Sequence, residues 1–375
     1  MSKKEIVEVT PASLANMLDV LFEIRNISPF IWGGPGIGKS SIVSALAKKK
    51  NMNFVDIRLS MMEPSTIMGI MIPDITNATS KWLPPSFFKN DGPTLYFFDE
   101  FNSAPPTIQA VAYQIILDRK IGPHSLNDTD FIVAAGNTVS DKGITFKMPN
   151  PLANRFVHLN LKVNFDDFYN YAVKNKLHQH VVGYLNYQKG DLYVPDYSPE
   201  VRGFPTPRSW EFVSRILYKV GDRNIDILPL VAGAVGEGVA YKFLSYRRVA
   251  ESVVNINEII TGKIKEMRPK NIDVCYATIT ALCYTLADYY EAYKTKKEIS
   301  KKLYDTYCDN FMGYLLNPKN EIQPEMVIMA VRTCLTALDL DINVDTPNWD
   351  AFFRNETYAR PIMNAFSGLD KKVGS

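Results

Sequence analysis

From Phe30 to about Leu161, short apolar runs alternate with segments of helical length. The runs lie at residues 30–32, 54–59, 95–98, 131–135 and 156–161. Five short strands separated by helices predict an α/β unit with a mostly parallel sheet. After Lys162 the strand signal fades and helical periodicity takes over. Thr206-Pro207 opens one helix, with threonine suited to the N-cap and proline to the first helical position. Phe212, Val213, Ile216, Leu217 and Val220 then mark its expected apolar face. Two more helices are expected around Cys275, Ile279, Leu282, Leu286 and Tyr290, and around Val327, Ala330, Val331, Cys334 and Leu338. The predicted layout is an α/β domain at 1–164, a helical lid at 165–265 and a C-terminal helical region at 266–375.

Composition changes this picture little. With 375 residues, 46% apolar and 22% charged, the chain is ordinary for a soluble protein and can bury a sizeable core without disulfides. A formal net charge of +2 gives no electrostatic case for a dedicated nucleic-acid binder. Cys275, Cys283, Cys308 and Cys334 show no C-x-x-C spacing and read as buried, reduced thiols. The first residues, MSKKEIVEVTPASL, contain no apolar run fit for a signal peptide. The longest apolar stretches, such as 227–235, fall far short of the ~20 residues a membrane span requires. The expectation is a soluble protein in a reducing, cytoplasmic compartment with no membrane partner.

The strongest chemical signal is Gly33-Gly34-Pro35-Gly36-Ile37-Gly38-Lys39-Ser40, a G-x-x-x-x-G-K-[ST] loop followed by Ser41. Glycines let the backbone turn tightly so that its N–H groups face a phosphate. A helix from about residue 39 to 48 adds the positive end of its dipole to the same place. Lys39 is expected to reach the β- and γ-phosphates, and the Ser40 hydroxyl to bind Mg²⁺. A chance match in a chain of this length occurs on the order of once in a hundred.

A second signal is Leu95-Tyr96-Phe97-Phe98-Asp99-Glu100, a buried-looking strand that ends in two carboxylates. Asp99 can hold Mg²⁺ through water, and Glu100 can polarise an attacking water as a general base. The pair is weak evidence alone and strong evidence about sixty residues after a phosphate loop. Residues 131–137 form another apolar strand ending in Gly136-Asn137, where the amide can orient water or touch the γ-phosphate.

Strand, phosphate loop, acidic strand and a strand ending in asparagine, in this order, resemble an AAA+ ATPase: a P-loop core with a five-stranded parallel sheet, an α-helical lid and further helices. The resemblance places Asn137 at the sensor-1 position, on a strand lying between those of Lys39 and Glu100. Pro151-Leu152-Ala153-Asn154-Arg155-Phe156 is similar to the segment bearing the family's arginine finger, which implies that Arg155 reaches the ATP of a neighbouring subunit. Phe204-Pro205-Thr206-Pro207-Arg208-Ser209-Trp210-Glu211 resembles the sensor-2 segment of MoxR-like proteins. Arg208 would stand in a first helical turn, where the dipole disfavours a cation unless an anion or water lies nearby. Leu59-Ser60, Glu63-Pro64-Ser65, Gly69, Trp82-Leu83-Pro84-Pro85, Asn102-Ser103-Ala104-Pro105-Pro106, Met148-Pro149-Asn150-Pro151 and Val235-Gly236-Glu237-Gly238 also resemble MoxR-type segments. The likeness spans roughly residues 10–250. It implies ATP and Mg²⁺ as cofactors, a homo-oligomeric ring (a hexamer), and remodelling, maturation or cofactor loading of a partner protein, often one with a von Willebrand factor A domain. Two other readings stay open: a nucleic-acid motor or restriction-type NTPase, which would need a basic channel, and an ATP-gated assembly scaffold. No N-K-x-D motif marks a GTPase.

Other features point to less. His124, His158, His178 and His180 offer no zinc spacing. Lys294, Lys296, Lys297, Lys301 and Lys302 read as a solvated basic run. Arg119 is a second candidate for contact across subunits, after Arg155. Met61, Met62, Met68, Met71, Trp82, Phe87 and Phe88 form an adaptable apolar segment that can grip a partner or pack on the domain. Packing is favoured for Trp82 and Phe87, and residues 68–72 are expected to form a loop facing the centre of a ring.

Overall fold

The computed structural model describes residues 7–370 apart from 25–26, 89–90, 139–145, 147, 199–200, 222, 224 and 252–255. The chain divides into two compact units, Met1–Asp167 and Phe168–Ser375.

In chain order the first unit contains β1 (Glu8–Val9), α1 (Pro11–Ile24), β2 (Ser28–Trp32), α2 (Lys39–Lys49), β3 (Asn53–Arg58), α3 (Pro64–Met68), β4 (Ile70–Asp74) and β5 (Thr79–Leu83). It continues with β6 (Thr94–Asp99), α4 (Pro106–Asp118), β7 (Lys120–Ile121), β8 (His124–Ser125), β9 (Phe131–Gly136), α5 (Asn150–Ala153) and β10 (Phe156–Leu161). The main sheet runs β1-β10-β2-β9-β6-β3, with parallel pairing at every step. It has six strands, not the five expected. The additional strand, β1, pairs only Glu8 and Val9 with Asn160 and Leu161 at the sheet edge, so it carries no apolar run to announce it.

The central strands follow the physics of a sheet covered on both faces. β6 and β9 are buried along almost their whole length and therefore read as continuous apolar runs rather than alternating ones. On one face Phe30, Ile57, Tyr96, Phe98 and Ile132 join Phe101, Ile108, Ala112 and Ile115 in a single core. The order places β9 between β2 and β6, as the family resemblance implied. Three strand ends from distant parts of the chain thereby meet along one edge of the sheet.

Helix α6 (Phe165–Lys174) crosses the division between the units. The second unit then holds α7 (Gln179–Tyr187), α8 (Pro207–Val220), α9 (Leu228–Val235), α10 (Glu237–Glu251), α11 (Ile256–Ile260), α12 (Ile272–Lys294), α13 (Lys301–Leu316), α14 (Pro324–Arg332), α15 (Pro347–Arg354) and α16 (Glu356–Asp370). The start of α8 is fixed by a reciprocal cap. Thr206 Oγ1 accepts from Ser209 N at 3.0 Å, and Ser209 Oγ accepts from Thr206 N at 2.7 Å. Its buried face differs from the expected one: Trp210, Val213, Ser214 and Leu217 are buried, while Phe212 is exposed. Trp210 is held inside by its indole N–H donating to Asp191 O at 2.9 Å.

A large core joins α11 to α16 around Ile279, Leu282, Phe311, Val327 and Trp349. The helix expected around Val327 to Leu338 is two pieces, α14 and a π-helical turn at Thr333–Ala337. All four cysteines are free and buried. Burial pushes the Cys275 thiol up to about 11 and that of Cys308 up to about 12, so both resist ionisation. Burial also holds His178 and His180 neutral, with pKa values lowered to about 4. His178 Nδ1 accepts from His180 N, which caps α7. Among the described residues no group of His, Cys, Asp or Glu is arranged to hold a metal ion, and no helix is long and apolar enough to cross a membrane.

Candidate nucleotide site

The loop between β2 and α2 owes its shape to its glycines. Gly36 and Gly38 have φ of 73° and 97°, values that favour residues without a side chain. Gly38 stands at the N-cap of α2, so the helix begins directly on Lys39. At the other end Gly33 N donates to Gly136 O at 3.2 Å, tying the loop to the tip of β9. Gly33, Gly34 and Ile37 are buried, while Pro35, Gly36, Gly38 and Ser40 are partly exposed and Ser41 is exposed. Lys39 is buried, and its ammonium donates to Gly33 O at 2.6 Å, Gly34 O at 2.9 Å and Asn137 Oδ1 at 3.2 Å. A buried ammonium needs acceptors on every side, and this one finds them.

The acidic pair lies at the end of β6, on the other side of β9 from the loop's strand β2. Ser40 Oγ donates to Asp99 Oδ2 at 3.2 Å, so the hydroxyl and carboxylate assigned to a metal from sequence do face each other. A hydroxyl and a carboxylate are hard oxygen donors of the kind Mg²⁺ takes, and the set fits that ion. Glu100 turns out of the strand with φ 55° and ψ 33°, and its N–H donates to Asp99 Oδ1 at 2.8 Å. The Glu100 carboxylate accepts a hydrogen bond from Ser60 Oγ, beyond the end of β3. Asp56, exposed on β3, has its carboxyl raised by partial desolvation first and by the nearby Asp99 charge second.

Asn102 completes the group. Its Nδ2 donates to Asn137 O at 2.8 Å, and its Oδ1 accepts from Asn137 N at 3.0 Å. Thus Lys39, Ser40, Asp99, Glu100 and Asn137 gather at the ends of β2, β6 and β9. Ser60 and Asn102 join them as contacts that no local pattern predicted. Both stood in segments with family resemblance, but their partners are 40 and 35 residues away.

The arginines differ in setting. Arg155 is exposed in the two-residue link between α5 and β10, and has no ion-pair partner among the described residues. Arg119, at the end of α4 with φ 50°, donates from Nη2 to Asn127 O and Asp130 O, both at 2.9 Å. Its guanidinium thereby pins the turn after β8. Arg208 is exposed in the first turn of α8, in the second unit. The lysines at 294, 296, 297, 301 and 302 are all exposed, as a solvated run requires.

Residues 68–72 are not a loop. They comprise the end of α3, Gly69 and the first residues of β4, which pairs antiparallel with β5. Gly69 has φ 84°, and a Cβ there would lie 2.1 Å from Leu83 O, so only glycine fits between helix and hairpin. Trp82 is anchored by its indole N–H on Met68 O at 2.7 Å, and Phe87 and Phe88 pack on the core. Ile70, Met71 and Ile75 stay exposed on the hairpin.

Residues 29–158, from β2 into β10, match the ATPase family associated with various cellular activities (AAA). This stretch is therefore an AAA-family ATPase domain. No curated protein sequence matches the chain. Among solved structures, a RuvB variant of Thermotoga maritima is 14% identical, with a TM-score of 0.34 over 82% of this chain and 87% of that one. NtrX of Brucella abortus in complex with ATP is 13% identical, with a TM-score of 0.37 over 76% and 66%. Scores of this size mark a loose likeness.

Proposed function

We propose that this chain binds ATP with Mg²⁺ and hydrolyses it as a ring-forming, MoxR-like AAA+ machine that remodels, matures or loads a partner protein. The observation that carries the reading is the meeting of Lys39, Ser40, Asp99, Glu100 and Asn137 at neighbouring strand ends. In this reading the N–H groups of residues 33–41 cradle the phosphates and Lys39 neutralises their charge. Ser40 and Asp99 would hold Mg²⁺, whose charge offsets that of the phosphate oxygens. Glu100 takes a proton from the attacking water, and Asn137 orients that water. Arg155 reaches into the site of the next subunit, and Arg208 takes the sensor-2 role that the resemblance of its segment implies.

A site shared between subunits works only when subunits meet. Specific ATP turnover is expected to climb as protein concentration rises over about a hundredfold range and then to level off. Constant turnover per subunit across that range would defeat the ring reading. Absence of turnover at every concentration, with ATP still bound, would leave an ATP-gated scaffold.

The exposed hairpin, together with the end of α3 that leads into it, is the surface offered to the partner. Replacing Met68 and Ile70 together by serine is expected to keep basal ATP turnover within about twofold, since neither lies among the phosphate or water contacts. Stimulation by the partner, and the partner's conversion, should be lost. A double variant that still converts its partner at the wild-type rate would remove the hairpin from the mechanism.

A further inference from the structure

The clamp between Asn102 and Asn137 extends the sheet beyond its last backbone pair. Strands β6 and β9 pair up to Phe98 and Ala134, and the chain then leaves the sheet at Glu100. Past that point β9 loses a neighbour on the β6 side. The carboxamide of Asn102 takes the place of the N–H and C=O of a strand residue, donating to Asn137 O at 2.8 Å and accepting from Asn137 N at 3.0 Å. One edge of a carboxamide presents an N–H and a C=O side by side, as an extended residue presents its own N–H and C=O to a neighbouring strand, so it can continue a ladder by one step.

The surroundings hold Asn102 to that task. Its side chain is buried, and Phe146 N donates to the Asn102 main-chain carbonyl at 2.7 Å. A Cβ at Gly136 would lie 2.5 Å from Asn102 Oδ1 and 2.9 Å from Phe30 Cζ, so the missing side chain makes room for the amide. The same short segment begins at Glu100, whose C=O accepts from Ser103 N at 3.0 Å. Asn137 in turn accepts from Lys39 through its side chain, and Gly136 O accepts from Gly33 N.

We infer that Asn102 is a positioning residue that sets the Asn137 side chain relative to Glu100 and Lys39, linking the acid and the phosphate loop through one side-chain amide. This rests on the proposed ATPase reading. Asn102 touches neither nucleotide nor water in that scheme and acts only through Asn137.

The test compares Asn102→Ala and Asn102→Asp with wild type. Binding is measured with a fluorescent, non-hydrolysable ATP analogue and Mg²⁺, turnover with ATP from pH 5.5 to 8, and folding by thermal melts. Both variants are expected to bind the analogue within about threefold of wild type while kcat falls on the order of 10–100-fold at pH 8, the scale of a small misplacement. Aspartate at 102 can accept from Asn137 N but sets its second oxygen against Asn137 O until it is protonated. Burial and that carbonyl raise its pKa, so acidification restores the missing donor. Turnover of Asn102→Asp relative to wild type should therefore rise as pH falls, while the same ratio for Asn102→Ala stays flat. Lys39, Asp99 and Glu100, the charged groups of this cluster, are common to all three proteins and are controlled for in the ratio. Unchanged kcat in Asn102→Ala, or parallel pH profiles for the two variants, would overturn the inference and leave the ATPase reading intact. A wild type without turnover would overturn both.

Discussion

Arg155→Ala is expected to lose about 10³–10⁵ in ATP turnover, or roughly 4–7 kcal/mol of barrier stabilisation, if Arg155 serves the neighbouring site. The side chain is exposed and has no ion-pair partner among the described residues, so its removal should leave the melting temperature nearly unchanged. A large rate loss without a stability loss distinguishes a charge presented across an interface from one that supports its own domain. Mixing supplies a sharper check. In a random equimolar mixture with Glu100→Gln, about a quarter of interfaces would pair an intact acid with an intact arginine, given head-to-tail contacts. Two inactive variants should therefore regain activity on mixing. Failure of the mixture to exceed its components, despite co-assembly, would place Arg155 outside the shared site.

Glu100→Gln is expected to lower turnover by about 10²–10⁴-fold while ATP affinity stays within a few-fold, since a neutral amide cannot accept the water's proton. The substitution is conservative where it matters for folding. Glutamine keeps an oxygen that can accept from Ser60 Oγ, and the backbone N–H bond to Asp99 Oδ1 is unaffected. Lys39, Ser40 and Asp99 remain in place to bind nucleotide. Equilibrium binding of ATP beside steady-state turnover checks the split, and turnover within threefold of wild type would deprive Glu100 of its role.

Much of this site was legible because each group lies at the end of an element with a strong local signature. Gly38 and Lys39 mark a loop-to-helix junction, and Asp99 and Asn137 end or follow strands buried on both faces. What sequence could not supply was pairing at long range. Nothing local to Ser60 names Glu100, and nothing local to Asn102 names Asn137, because such bonds exist only once the sheet has ordered its strands. Strand β1 escaped notice for a different reason. Two residues, one of them charged and both at the sheet edge, leave no periodicity to detect. The β4–β5 hairpin was missed because its strands mix exposed polar and apolar residues, so burial imposes no regular alternation. In α8 the helix and its cap were readable, but the inward face was not. Indole packing and a hydrogen bond to Asp191 draw Trp210 inside, while Phe212 faces out.

The sheltered sulfurs have a practical corollary. The chain has four cysteines in all, and every one is buried and free. A thiol-directed dye should thus discriminate strongly in favour of a new cysteine installed at exposed Ile75, on the turn of the hairpin. The native background would not need to be stripped, so the hairpin's environment could be followed optically in a chain altered at a single position.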